Sequence, residues 1–327
     1  MGRAERDPAP AALPAPPPPA VPAALDSVLR GLESDAGGVL GVAGIHIESG
    51  RRIEWNGSEL FPMASVVKLP IALAVLERVD AGRLALSDTI RIAPQEVRPG
   101  RSLQGAGPVT VSRLLELMLR ESDNTAADAL FAVIGGPGPV RDRLAALGVD
   151  GIDVSRTEGR MLSDWAGLPP PPVGRDWSGT EFYRLLDGVP PAARRRAAAT
   201  WAADPRDAAT PVGMADLLAR VHEGAGLSAA GRRLLIGHMR RSYGDTRIPG
   251  LLPANTPAAR KSGTVGATTN DVGIVSLPDG THLALAVFIK SSDRPLAERE
   301  RAIAGVSRAL YDHFTGLRRW GIVRIYL

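Results

Sequence analysis

The stretch MASVVKLPIALAVLERV, residues 63–79, carries one serine and one lysine in an otherwise apolar run that closes on Glu77 and Arg78. Its length and apolar spacing predict a helix beginning near Ser65, with Pro70 close to the first turn, where a missing N–H does least harm. Ser65 and Lys68 are three apart, so one helical turn sets both side chains on the same face. A serine hydroxyl is a weak nucleophile until a base takes its proton, and a lysine can do so where its surroundings lower its pKa. The N–H groups at the start of such a helix can also hold an oxyanion. Alone, the pair reads more readily as a capping serine and a solvated lysine.

Two further segments add to it. Ser122-Asp123-Asn124 falls between two predicted helices. A serine there can pass a proton to a leaving nitrogen and an asparagine amide can grip a substrate amide, although these residue types also simply favour turns. Lys261-Ser262-Gly263-Thr264 precedes a predicted strand. Its lysine and two hydroxyls suit a carboxylate, its glycine admits a close backbone, and the Thr264 N–H can complete an oxyanion hole. Lysine usage sharpens the pattern. Of 39 basic residues only Lys68, Lys261 and Lys290 are lysine, and two of the three fall in these segments. Lysine can lose its proton in a buried site, whereas a guanidinium stays charged and forked.

The rest of the chain frames these segments. Its 327 residues, 44% apolar and 23% charged, suit a globular protein with a substantial core. No apolar run is long enough to cross a bilayer. The net charge of +4 comes without basic runs interleaved with aromatics, so no nucleic-acid footprint is expected. There is no cysteine, and the five histidines have no short ligand spacing, so neither a disulfide nor a metal centre is predicted and no cofactor is implied. Residues 1–22 hold eight prolines and read as a polyproline-like or disordered leader without the apolar core of an export signal. Residues 38–57 predict a hairpin turning at Ser49-Gly50, and residues 270–292 another turning at Pro278-Asp279-Gly280. Leu25, Val28, Leu29 and Leu32 at one end, and Ile303, Val306, Leu310 and Phe314 at the other, have helical spacing. Thr210-Pro211 starts a further helix with a cap and a proline at the first helical position. The order implies an α/β (α+β) protein whose sheet is built from both chain ends, with a helical lobe inserted between them.

Ser-x-x-Lys, Ser-Asp-Asn and Lys-Ser-Gly occur here in the chain order of the set found in class A β-lactamases and penicillin-binding proteins, with serine for threonine in the third. From about residue 25 to 316 the sequence resembles the class A serine β-lactamase family, including MASVVKLPIALAVLERV, ESDNTAADAL, RDAATPVGMADLL and ARKSGTVGATTNDVGIV. The resemblance implies a two-lobed fold: a five-stranded antiparallel sheet flanked by N- and C-terminal helices (23–60 and 212–316), an all-helical lobe (61–211), and a tail (317–327). It implies Ser65 as acylated nucleophile, Lys68 as its proton partner, Ser122 as proton donor to the leaving nitrogen and Asn124 as ligand of the acylamide side chain. Lys261, Ser262, Gly263 and Thr264 would receive the substrate carboxylate, with Arg247 behind them. It further implies a β-lactam substrate, a monomer, and a periplasmic or secreted enzyme.

The family also carries an Ω-loop with a water-activating glutamate. Arg156-Thr157-Glu158 resembles its opening and Arg206-Asp207 its close, which implies a tying Arg156–Asp207 ion pair, bidentate where geometry allows. Two departures stand out. The loop, 155–208, is enlarged by LPPPPVGRDWSGTEFYRLL and PPAARRRAAATW. One turn after Glu158, where the family places a water-holding asparagine, stands Leu162. The expected activity is β-lactam hydrolysis through a Ser65 acyl-enzyme released by Glu158-activated water. The alternative is a DD-peptidase-like penicillin-binding enzyme that acylates and releases slowly, or a fold-preserving binding module with Glu158 an ordinary loop acid.

Overall fold

The computed structural model describes residues 21–100 and 105–316. The tail expected at 317–327 and the leader before Val21 lie outside these residues. Five strands form one antiparallel sheet: β1 (Val39–His46), β2 (Arg52–Trp55), β3 (Ala258–Val265), β4 (Thr268–Ser276) and β5 (His282–Lys290), in the order β2-β1-β5-β4-β3. Both predicted turns are present, with Gly50 at φ +69° and Gly280 at φ +86°, a backbone open to glycine at little steric cost.

Both faces of the sheet are covered, and strand alternation shows why. Leu283, Leu285, Val287 and Ile289 of β5 pack beneath α1 (Ala23–Ala36) and the C-terminal helix Leu296–Phe314, meeting Leu25, Leu29, Ile303, Val306, Leu310 and Phe314. Ala284, Ala286 and Phe288, the alternate residues, join the core shared with the helical lobe. Burying each such aliphatic side chain is worth roughly 1.5–3 kcal/mol, so period-two alternation fastens both layers to one strand. At the centre of the lobe lies α2 (Lys68–Asp80), buried continuously from Lys68 to Leu76. A helix hydrophobic all round belongs inside a bundle.

Two expectations need correction. The helix predicted from Ser65 begins as a 3₁₀ turn, Ala64–Val67, and becomes α-helical only at Lys68. Ala64 has φ +47°, a left-handed conformation that costs a non-glycine residue about 1–2 kcal/mol and cannot belong to an α-helix. The helix expected just before Ser122-Asp123-Asn124 is α-helical over Val111–Glu116 and then widens into a π turn, Leu117–Glu121, ending at Ser122 with φ +60°. One strained position precedes Ser65 and the other is Ser122 itself, both among the residues expected to react.

The lobe continues with α3 (Asn124–Val133) and α4 (Glu158–Ala166). The Asp123 carboxylate accepts the Ala126 N–H at the start of α3, and the Thr157 hydroxyl accepts the Arg160 N–H at the start of α4. The loop insertion folds as α5 (Gly179–Asp187), opened by a Ser178/Glu181 capping box, and α6 (Pro191–Ala202). These helices have a small core of their own, Ala166, Leu168, Phe182 and Val189, with Trp177, Leu185 and Leu186 against it. α7 (Pro211–Glu223) then starts as expected, Thr210 accepting the Gly213 N–H.

Candidate active site

Ser65, on the 3₁₀ turn, and Lys68, at the start of α2, face one another: Lys68 Nζ donates to Ser65 Oγ at 2.9 Å. The same ammonium reaches the Ser122 carbonyl at 2.8 Å, Ser122 Oγ at 3.3 Å and Asn124 Oδ1 at 2.6 Å. Glu158 Oε1 lies 3.2 Å away, and both side chains are almost wholly buried, at 0% and 2% exposure. That contact is an ion pair without hydrogen-bond geometry, since Oε1 accepts no hydrogen bond among the described residues. On the other side of Ser122, Lys261 Nζ donates to Ser122 Oγ at 2.9 Å and to the Ser262 carbonyl at 2.8 Å. Ser65, Lys68, Ser122 and Lys261 therefore form one hydrogen-bonded chain. Ser122 Oγ accepts from two ammonium groups, so its own proton is left to point elsewhere.

Burial pushes the Lys261 ammonium well below the usual lysine range, and the neighbouring Lys68 charge adds to the shift; Glu158 and Asp271 act against it. Arg247 stands behind β3, donating to the Gly263 carbonyl at 3.1 Å, the Asn270 carbonyl at 2.8 Å and Thr264 Oγ1 at 2.6 Å. An accepted bond from Arg247 frees the Thr264 hydroxyl proton to point outward.

Gly263 brings the strand against the nucleophile turn. A Cβ there would lie 2.7 Å from the Met63 carbonyl and 3.1 Å from the Ser65 nitrogen. Gly263→Val is therefore expected to push Ser65 away from β3 and reduce the acylation rate by about 100-fold or more, the loss that a misplacement of about 1 Å produces. Stopped-flow acylation kinetics would show it, and a wild-type rate would exclude this tight fit.

The Ω-loop base differs in one respect from the expected fork. Arg156 Nε donates to Asp207 Oδ2 at 2.5 Å, while Asp207 Oδ1 takes the backbone N–H groups of Ser155 at 2.7 Å and Arg156 at 3.0 Å. The remaining guanidinium N–H groups go to Asp164 and Asp204, each at 3.0 Å, and to the Arg206 carbonyl. Arg156 is thus the hub of three carboxylates rather than one arm of a bidentate pair. Asp204 belongs to the end of the enlarged segment, so the insertion is wired into the loop's own tie.

Three buried residues escape motif reading. Asp128, on α3, accepts the Glu158 N–H at 2.7 Å and the Gly159 N–H at 3.1 Å, and so holds the first turn of α4. Desolvation raises its carboxyl to about 6, outweighing the opposing pull of Arg98, which pairs with it at 2.8 Å. Arg98 also donates to the Trp177 carbonyl at 3.2 Å, and the Gly179 N–H reaches the Val97 carbonyl at 2.7 Å, so the insertion docks on the segment beside Asn124. Asn270, fully buried on β4, donates to the Pro62 and Met63 carbonyls at 2.9 Å each and so clamps the turn ahead of Ser65. The available signals are a lone acid in the small-residue run NTAADAL and a polar Asn-Asp pair inside an apolar strand.

Leu162 packs between two small cores, one with Met161 and Trp201 and the other with Phe182 and Val189. The amide position has become the anchor of the inserted helices.

A serine bonded to a buried lysine, a second serine shared between two lysines, and a carboxylate at the same ammonium define an active-site serine hydrolase of the acyl-transfer class. The profile of the family described as "Beta-lactamase enzyme family" matches residues 24–314, and the chain belongs to that family, on the class A serine branch. An extended-spectrum β-lactamase of Pseudomonas aeruginosa, PER-1, is 31% identical over 270 residues, covering 78% of this chain and 76% of that protein. A β-lactamase from Chitinophaga pinensis superposes with a TM-score of 0.74 at 30% identity, covering 89% of this chain and 99% of that one. An ancestral class A β-lactamase does so with a TM-score of 0.71 at 30% identity, covering 89% and 100%. The five-stranded sheet and helical lobe are the fold these relatives share. The chain is a serine β-lactamase, and the slow-releasing peptidase reading is not favoured. Among the described residues no helix is long and apolar enough to cross a membrane.

Proposed function

We propose that the chain hydrolyses β-lactam antibiotics through an acyl-enzyme on Ser65. The observation that carries this is the single ammonium of Lys68, buried and within reach of Ser65 Oγ, Ser122 Oγ and Glu158 at once. Attack by Ser65 Oγ on the lactam carbonyl moves the hydroxyl proton toward the Lys68–Glu158 pair. The β-lactam C–N bond breaks as Ser122 gives its proton to the nitrogen and takes one from the Lys68 ammonium, 3.3 Å away, which returns the Lys68–Glu158 pair to its starting charge. Backbone N–H groups of Ser65 and Thr264 hold the developing oxyanion. Asn124 spends Oδ1 on Lys68 and one Nδ2 proton on the Pro99 carbonyl at 2.7 Å, which leaves the other for the acylamide. Lys261 is fully buried, so it acts on the substrate carboxylate mainly through its field, while Ser262 and the exposed Thr264 hydroxyl make contact. Glu158 then activates the water that releases the product.

Peptide mapping after brief exposure to a cephalosporin tests the reading: the adduct is expected on Ser65, and an adduct elsewhere, or none with no turnover, would sink it. On the same reading the enzyme is exported and acts as a monomer on a small molecule, without nucleic acid. Size-exclusion chromatography and cell fractionation check both points.

Arg98 gives this reading a pH signature. Desolvation raises the Asp128 carboxyl to about 6, and the positive charge of Arg98 keeps it from rising further. Below that value Asp128 takes up a proton and can no longer accept both α4 N–H groups as an anion, so deacylation is expected to fall on an acid limb near pH 6. Arg98→Met removes the cation, so the limb is expected to move upward by about 1–3 pH units, the usual effect of a close opposite charge. A pH profile of the deacylation rate identical in both proteins would separate Arg98 from the positioning of Glu158.

A further inference from the structure

At the end of the sheet away from the catalytic residues, Glu48, His222 and His282 converge. They come from the turn after β1, the last turn of α7 and the first residue of β5. β4 spans the distance: Asn270, next to the nucleophile turn, pairs with Phe288, whereas Ser276 at the other end pairs with His282.

Glu48 holds His282 twice, Oε1 at 2.7 Å from Nδ1 and Oε2 accepting the backbone N–H at 2.8 Å. The carboxylate and the ring already stand as neighbouring donors, and an ion bound by both takes the place of the proton they share on Nδ1. The His222 ring lies against the His282 ring, with centroids 4.0 Å apart and planes inclined at 40°. One ligand atom from each of the three residues lies within 4.8 Å of the other two. Tetrahedral Zn²⁺ with bonds of about 2.0–2.1 Å needs its ligand atoms about 3.4 Å apart. A small side-chain adjustment closes that gap, and the glutamate is 39% exposed and can move.

We propose that Glu48, His222 and His282 form a site for a divalent transition-metal ion of the Zn²⁺ class, clipping α7 to the edge of two strand ends. Imidazole ligands select Zn²⁺, Cu²⁺ or Ni²⁺ over Mg²⁺ and Ca²⁺. The ion plays no part in the serine chemistry; bound only by the folded chain, it stabilises by mass action.

Isothermal titration of the tag-free protein with ZnCl₂ alone, and separately with MgCl₂, tests this. One saturable Zn²⁺ site is expected, with no Mg²⁺ heat and a melting temperature that rises with Zn²⁺. His222→Ala and His282→Ala, each made singly, are expected to abolish both effects while leaving cephalosporin turnover intact, which also shows that they fold. Glu48→Gln is expected to weaken binding about 10- to 100-fold. No saturable binding by wild type at millimolar Zn²⁺, or binding that survives both histidine variants, overturns the proposal and leaves a stacked surface pair.

Discussion

Glu158→Gln is expected to trap the acyl-enzyme. The substitution keeps the shape of a buried residue, 4% exposed, whose backbone is held to Asp128, so the first turn of α4 stays in place. What it removes is the proposed base, whose Oε1 lies beside Lys68 without accepting a hydrogen bond from the described residues. General-base catalysis is worth about 10²- to 10⁴-fold, so deacylation should slow by about that factor. Acylation should suffer less, because Lys68 still contacts Ser65 at 2.9 Å. In time-resolved intact-mass spectra after β-lactam addition, the variant should convert almost entirely to the adduct while wild type shows it only fleetingly. Equal adduct lifetimes would mean that Glu158 is not the deacylating base. The position of Leu162 makes the experiment pointed. Leucine offers water no hydrogen bond, so on the proposed reading Glu158 orients the nucleophile without help from a side chain at position 162.

Much of this site is legible in the sequence because its chemistry is local. Ser65 and Lys68 are one turn apart, Ser122 and Asn124 share one turn, and Lys261 to Thr264 are consecutive on one strand. The sheet is legible for the same reason: its alternating strands and tight turns are short-range patterns. What the sequence hides is reciprocity over distance. Asp128 matters because of N–H groups thirty and thirty-one residues away, and Asn270 because of carbonyls more than two hundred residues away. Neither partner set leaves a periodic trace. The 3₁₀ start at Ala64 was hidden by a similar cause. Its left-handed backbone is imposed by the clamp and strand around it, against the residue's own strong helical preference. The insertion is intermediate: its helix-like spacing is visible, but its docking through Arg98 and Asp204 is not.

Lys68→Met carries the second large effect, and it falls on stability as well as rate. The ammonium is fully buried and serves Ser65, the Ser122 carbonyl, Ser122 Oγ, Asn124 and Glu158. Removing it leaves the Glu158 carboxylate buried without its partner, a loss of about 3–5 kcal/mol when one member of a buried pair is deleted. The acylation step loses at the same time the ammonium that relays the Ser65 proton, and should slow by about 10²- to 10⁴-fold. The two effects can be separated. In Lys68→Met combined with Glu158→Gln no unpaired charge remains, so the denaturant midpoint should recover most of what the single variant lost. Acylation should not recover at all. A structural role alone would restore both together, and a single variant that acylated at the wild-type rate would remove Lys68 from the chemistry. Lys261 supplies an internal control: part of the depression of its ammonium comes from the Lys68 charge. In the single variant that contribution is gone, so Lys261 should hold its proton more firmly and be less able to take over as a base through Ser122. The buried charges thus form one coupled set, with the lysine at position 68 as its centre.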